Sequence, residues 1–194
     1  MGISELIFWK FGIEKERKKR AELIEIEKQK IIDQYEKQRK DIKKWITIYF
    51  QILNEFLSSH ENFKMDHFIP YSELNIQEYI KTKNPKIPNF YNTNGDSVYK
   101  YHRHHVDEIF LTKNDLISSN LYNYGPSIIV TYQEHCLLHY LIVMAQLAKP
   151  NNGMLHVTCD FKNWDAIVQK MCNKLHIEYV EGWDKYLVSS GDVN

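Results

Sequence analysis

The sequence is short of several things at once, and each shortage removes a class of protein. Its three cysteines, Cys136, Cys159 and Cys172, are an odd number without CxxC spacing. That argues against a disulfide framework and a cysteine-zinc site, and fits a reducing, cytoplasmic setting. Neither charge sign is in excess, 25 basic residues balancing 25 acidic ones, so any nucleic-acid-binding surface has to be local. No apolar run is long enough to span a bilayer. The patch Leu6-Ile7-Phe8-Trp9 is interrupted by Lys10 and followed by charge, the reverse of a secretory signal; it is expected to pack on the protein's own body, with no membrane partner. No repeat or low-complexity tract is evident. A chain of 194 residues then suffices for one compact core with an appendage.

Proline and glycine are also absent from Glu14 to Leu57, where charged and apolar residues alternate at helical spacing. The segment reads as one long helix or two stacked ones. A heptad places Ala21, Lys28, Tyr35, Ile42, Tyr49 and Phe56 at one seam position and Ile24, Ile31, Gln38, Trp45 and Ile52 at the other. Lys28 and Gln38 flaw its first half, so the second half is the better coiled coil and offers a surface for a homodimer through the N-terminal helices. Two basic knots, Lys15 to Arg20 and Lys37 to Lys44, could contact phosphates. Interspersed Glu16, Glu22, Glu25, Glu27, Asp33 and Asp41 favour a solvated helix face instead.

Beyond the helix, Lys64 to Pro70 reads as a short extended piece and Ser72 to Tyr79 as a short helix. Asn94-Gly95-Asp96 is a turn signal, suited to a loop or a hairpin tip. Val98 to Phe110 reads as a strand, Asn120 to Pro126 as a loop, and β-branched Ile128-Ile129-Val130 as a second strand. Thr131 with Glu134 forms a capping box that opens a helix running to about Leu147, with Leu138, Leu141, Ile142 and Ala145 on its buried face. Met154 to Cys159 is expected to be extended, Trp164 to Leu175 helical and Ile177 to Val180 extended.

What the chain has in concentration is histidine. Five of its nine histidines fall between His102 and His139, as His102-Arg103-His104-His105 on the first strand and His135-Cys136-Leu137-Leu138-His139 on the helix. Residues four apart on a helix share a face, so His135 and His139 can aim two imidazoles at one ion while the strand supplies a third ligand and a base. That layout suggests a metal-dependent nuclease. A zinc-protease reading fails because Cys136 stands where HExxH needs its glutamate.

The stretch from Tyr101 to about Tyr140 resembles the HNH, or ββα-metal, nuclease superfamily of phage and colicin type. Tyr101-His102-Arg103-His104-His105-Val106 looks like its first strand, and Ile129 to His139 like its second strand and metal-binding helix. The whole chain reads as an α+β fold: a long N-terminal helical arm over 1–64, a ββα-metal core with its preceding loop over 65–150, and a small α/β extension over 151–194. The resemblance bears on the core alone and implies His104, His135 and His139 as metal ligands and His105 as general base. His102 and Arg103 fall near the phosphate, and Asn123 or Asn120 could replace the family's asparagine, whose place is taken by Pro126. Proline cannot brace the loop or orient the base with a side chain.

Phosphodiester hydrolysis needs a cation to neutralise charge and a base for the attacking water, and neutral imidazole serves both near pH 7. Three imidazoles suit Zn²⁺, Ni²⁺ or Mn²⁺ better than Mg²⁺. The expected activity is endonucleolytic cleavage of DNA to 5′ phosphate and 3′ hydroxyl ends, in a restriction, homing, phage or defence setting. The alternatives are a weakly active or inactive HNH-fold binding module and a non-specific toxin nuclease. Asp66-His67-Phe68-Ile69-Pro70 resembles another first-strand motif of the superfamily, but an ordinary strand-to-turn segment is the preferred reading. Asp107 and Glu108 are expected to be solvated loop carboxylates, and His60, His156 and His176 ordinary surface residues.

Overall fold

The computed structural model describes residues 3–59, 65–83, 90–93, 96–147, 151–158 and 160–187. The chain divides into two compact units, Met1–Asp41 and Ile42–Asn194. Helix α1 (Ile3–Ser59) supplies the whole described part of the first unit and opens the second. One continuous helix forms because nothing between Glu14 and Leu57 interrupts its backbone hydrogen bonds. In the first unit every described side chain from Glu22 to Asp41 is exposed. Local pairs such as Lys28 with Glu25 and Gln29 with Asp33 decorate it. Lys37, Arg39 and Lys40 are thus part of a solvated face, while the side chains of Lys15 to Arg20 and of Leu6 to Trp9 lie outside the described residues.

In the second unit α1 becomes amphipathic. Trp45, Tyr49, Ile52, Leu53 and Phe56 are all buried in the main apolar cluster, at the spacing that lines one helix face. The better half of the heptad therefore packs on the chain's own core. Lys44, exposed beside it, forms an ion pair with Glu178.

The fold is mixed α and β, mostly helical, with a small antiparallel sheet. Strands β1 (Ile69–Pro70), β4 (Tyr101–His105) and β5 (Pro126–Thr131) assemble in the order β1-β5-β4. Strands β2 (Phe90–Thr93) and β3 (Asp96–Tyr99) pair separately as a hairpin from Phe90↔Tyr99 to Thr93↔Asp96; Asn94 and Gly95 lie outside the described residues. Central β5 is covered on both faces, with Ile128, Ile129 and Val130 at 0 % exposure, which is why it reads as a continuous β-branched run.

Helix α2 (Ile76–Lys83) starts later than expected, after a turn in which Glu73 and Leu74 donate to the Pro70 carbonyl. The strand expected from Val98 to Phe110 also divides. The β4 ladder ends at His105↔Ser127 because the next residue of β5, Pro126, has no N–H to donate. The chain then coils into a 3-10 turn, Val106–Ile109. Helices α3 (Lys113–Ser118) and α4 (Leu121–Tyr124) follow, the second a single turn inside the expected loop. Helix α5 (Tyr132–Ala145) opens on the Thr131/Glu134 capping box, as expected, and is buried nearly all round.

Two further expectations are corrected. Leu155–Thr158 is one helical turn, α6, instead of an extended piece, because the Thr158 hydroxyl and amide both return to the Met154 carbonyl; Cys159 lies outside the described residues. Helix α7 (Phe161–Leu175) packs on α5 through Trp164, Val168, Met171 and Cys172. Residues 177–180 form no strand. The Tyr140 hydroxyl satisfies them instead, donating to the Glu178 carbonyl and accepting from the Val180 amide at 3.1 Å each. A final 3-10 turn, Trp183–Tyr186, buries Trp183 against Trp164 and Tyr140. Among the described residues no helix is long and apolar enough to cross a membrane.

Candidate metal centre

Three of the predicted residues converge. His104 at the end of β4 and His135 and His139 on α5 each direct one ligand nitrogen to a common point, the three atoms lying within 4.8 Å of one another. Ring centroids are 5.2 Å apart for His104 and His135, 5.3 Å for His104 and His139, and 4.8 Å for the helix pair. The two elements meet because β5 pairs with β4 and leads without a break into α5. These imidazoles are close enough together to hold a metal ion.

Hydrogen-bond accounting fixes which atom of His104 faces that point. The Tyr49 hydroxyl lies 2.8 Å from His104 Nε2 and donates to the Val106 carbonyl at 3.0 Å. A hydroxyl has one proton, so with that proton on Val106 it accepts from His104 Nε2–H. The lone pair of the neutral ring is then on Nδ1, which is buried without a hydrogen-bond partner. His135 Nδ1 is buried and unpartnered in the same way. Burial pushes the His104 imidazolium down to about 3, overcoming the opposing pull of Glu108, and burial followed by the neighbouring His139 and His104 holds His135 well below its ordinary value. Both rings are therefore neutral near pH 7, the form that ligates metal. Orphaned buried acceptors of this kind call for an ion, so the residues fit a divalent cation.

His105 is not part of that trio. Successive side chains on a strand point to opposite faces, and its ring packs on the other side of β4, 3.8 Å from the Tyr71 ring and inclined 11° to it. Its Nε2 stands 2.8 Å from the Tyr122 carbonyl, an acceptor only, so Nε2 carries a proton. The Arg103 guanidinium lies 3.9 Å over Tyr71 and donates to the Tyr71 carbonyl at 2.9 Å. His105 is thus oriented by a backbone carbonyl and an aromatic stack. Asn120 and Asn123 are exposed, and the Asn123 carbonyl accepts from the Ser72 amide.

Glu108 corrects the expectation of a solvated loop carboxylate. The 3-10 turn carries it back over the end of β4, with Oε2 3.5 Å from His104 Nδ1 and 3.2 Å from His139 Nε2. Oε1 is 3.4 Å from His105 Nδ1. Burial pushes this carboxyl up, but the rings of His105 and His139, with His104, outweigh that and hold it well below the usual carboxylate range. Its one signal in sequence is a spacing of three and four residues from His105 and His104, meaningful only if 106–109 is helical. Tyr49, Tyr71 and Tyr122 gave no signal, because they reach the site from remote segments.

Among the other candidates, His102 is half-buried with its ring centroid 5.1 Å from that of His135. Arg103 commits Nη1 to the turn after β1. Asp66, His67 and His176 are exposed, away from the convergence; His60 and the side chain of His156 lie outside the described residues. Comparison with protein families, curated proteins and solved structures gives no match.

Proposed function

We propose that the protein is a divalent-metal-dependent endonuclease of HNH, ββα-metal type that hydrolyses DNA phosphodiester bonds. The observation that carries this reading is the pairing of a three-histidine cluster with a separately oriented imidazole, His105, whose Nδ1 stands 3.4 Å from the same Glu108 carboxylate that reaches His104 and His139. A metal site that only braced the fold would have no use for that fourth ring.

His104 Nδ1, His135 and His139 would hold the cation, which supplies positive charge for the phosphorane oxygens and the leaving 3′ oxygen. His105 Nδ1 accepts a proton from the attacking water. As it does so, charge grows on the ring, and the Tyr122 carbonyl at Nε2–H stabilises it. Tyr71 and the Arg103 guanidinium over it keep the ring from turning, so the lone pair stays aimed. His102, on β4 with its ring 5.1 Å from that of His135 on α5, and the remaining donors of Arg103 would contact phosphate.

A second reading is favoured by Glu108, whose carboxylate stands among the imidazoles where substrate would have to approach: a nucleic-acid-binding module with a structural ion. Supercoiled plasmid incubated with Zn²⁺, Ni²⁺, Mn²⁺ or Mg²⁺ separates the two. The parent should nick or linearise it with at least one ion. His105→Ala should keep the metal and lose about 10²- to 10⁴-fold in rate. Parental cleavage by His105→Ala would remove His105 as the base, and no cleavage with any ion would favour the binding module.

A further inference from the structure

We infer that Glu108 is a fourth protein ligand of this centre and that it holds the site closed until a phosphate group displaces it. The ligation rests on the three-histidine cluster, and the displacement rests on the nuclease reading.

Distances come first. Two atoms each about 2.0–2.1 Å from one tetrahedral ion stand about 3.3–3.4 Å apart. Glu108 Oε2 lies 3.5 Å from His104 Nδ1 and 3.2 Å from His139 Nε2, the separations of co-ligands. The contact with His104 is not a hydrogen bond, because the Tyr49 hydroxyl has already drawn that ring's proton to Nε2. His104 Nδ1 and the carboxylate oxygen Oε2 face each other there, both atoms buried and with no hydrogen bond between them. That arrangement is repulsive unless a cation lies between them.

The placement of Glu108 is built into the backbone. The 3-10 turn Val106–Ile109 is held at its start by the Tyr49 hydroxyl on the Val106 carbonyl and at its end by the Phe110 and Leu111 amides on the Asp107 carbonyl. The same hydroxyl therefore orients one ligand ring and anchors the turn that presents the carboxylate.

Charge then indicates what can replace it. Three neutral imidazoles leave a dication uncompensated, and Glu108 removes one unit of that charge. A phosphodiester is also a monoanion with oxygen donors, so exchanging it for the carboxylate conserves the charge of the site. Because Oε1 faces His105 Nδ1 at 3.4 Å, the same departure would uncover the nitrogen that the nuclease reading makes the base. The resting protein is thus capped at both the ion and the base.

The test uses Co²⁺ as probe, with the full chain, its Glu108→Gln variant and, should that variant fold poorly by circular dichroism, Glu108→Asp. Visible absorption reports coordination, and competition with a chelator reports affinity. The parent should give the intense bands of a four-coordinate ion. Glu108→Gln should shift those bands and weaken Co²⁺ binding about tenfold or more. Inorganic phosphate should perturb the cobalt bands of the variant at concentrations about tenfold below those the parent requires. An unchanged spectrum and affinity in the variant would overturn the ligation, leaving Glu108 as a partner of His139 alone. Equal phosphate sensitivity in the two proteins would overturn the cap. Neither readout involves cleavage, so a loaded parent that leaves plasmid intact would sink the nuclease reading while the ligation stood.

Discussion

The Tyr49 hydroxyl sits 2.8 Å from His104 Nε2 and 3.0 Å from the Val106 carbonyl, so one side chain on α1 sets the tautomer of a candidate metal ligand and ends the strand that carries it. Tyr49→Phe removes that hydroxyl with little change in volume. A buried Nε2–H then has no acceptor, which costs about 1–3 kcal/mol, and the ring is free to place its proton on Nδ1. Metal affinity should fall about 10- to 100-fold, as when other partners of ligating histidines are lost. Titration with Co²⁺ and urea unfolding in chelator measure the two effects separately.

Strand β4, strand β5 and helix α5 were legible because each carries its own signal. The β-branched Ile128-Ile129-Val130, the Thr131/Glu134 cap and the His135/His139 spacing are local features, and local physics forms them. The turn that presents Glu108 was not legible. His105-Val106-Asp107-Glu108-Ile109 holds no proline or glycine to end a strand, and what halts the ladder is a missing donor at Pro126 across the sheet and the Tyr49 hydroxyl from a remote helix. The Tyr71 stack on His105 was hidden for the same reason, since pairing of β1 with β5 brings that segment to the site.

Acid should destabilise the metal-free protein in a defined window. Burial holds His104 at about 3 and His135 well below its ordinary value in the folded state, whereas in the unfolded chain both titrate near ~6.5. Below that point the unfolded state binds more protons, so stability is fully present above it and is lost as pH falls toward the folded values. Each such group removes up to about 1.4 kcal/mol per pH unit. Glu108, held low in the folded state, adds a loss of the same sign once pH drops through the usual glutamate range. Urea midpoints in chelator at pH 7.5, 6 and 5 should decrease in that order; a flat series would show that these rings are not buried as neutral groups.

Gly125 is required by close approach. A Cβ at this position would stand 2.4 Å from the Leu121 carbonyl oxygen, the group that accepts the Gly125 amide at 2.7 Å to close α4. Gly125→Ala must therefore open the turn that holds the Tyr122 carbonyl against His105. We expect a loss of about 1–3 kcal/mol in stability, together with slower plasmid cleavage and an unchanged cobalt spectrum, because none of the three candidate ligand histidines lies on that turn.

Tyr71 offers a way to separate orientation of the proposed base, His105, from binding of an ion. Its ring stacks on His105 at 3.8 Å and also lies under the Arg103 guanidinium, and it touches none of the three clustered histidines in a ring contact. Tyr71→Leu keeps an apolar side chain there but removes the flat surface that stops His105 from turning about its Tyr122 hydrogen bond. A mis-aimed Nδ1 lowers the chance that water meets the lone pair, so kcat should fall about tenfold or more with little change in KM. Cobalt absorption and affinity should stay at parental values. Tyr71→Phe, which preserves the stack, should restore most of the rate; a Phe variant as slow as the Leu variant would mean that the phenol oxygen matters and that stacking is not what orients His105.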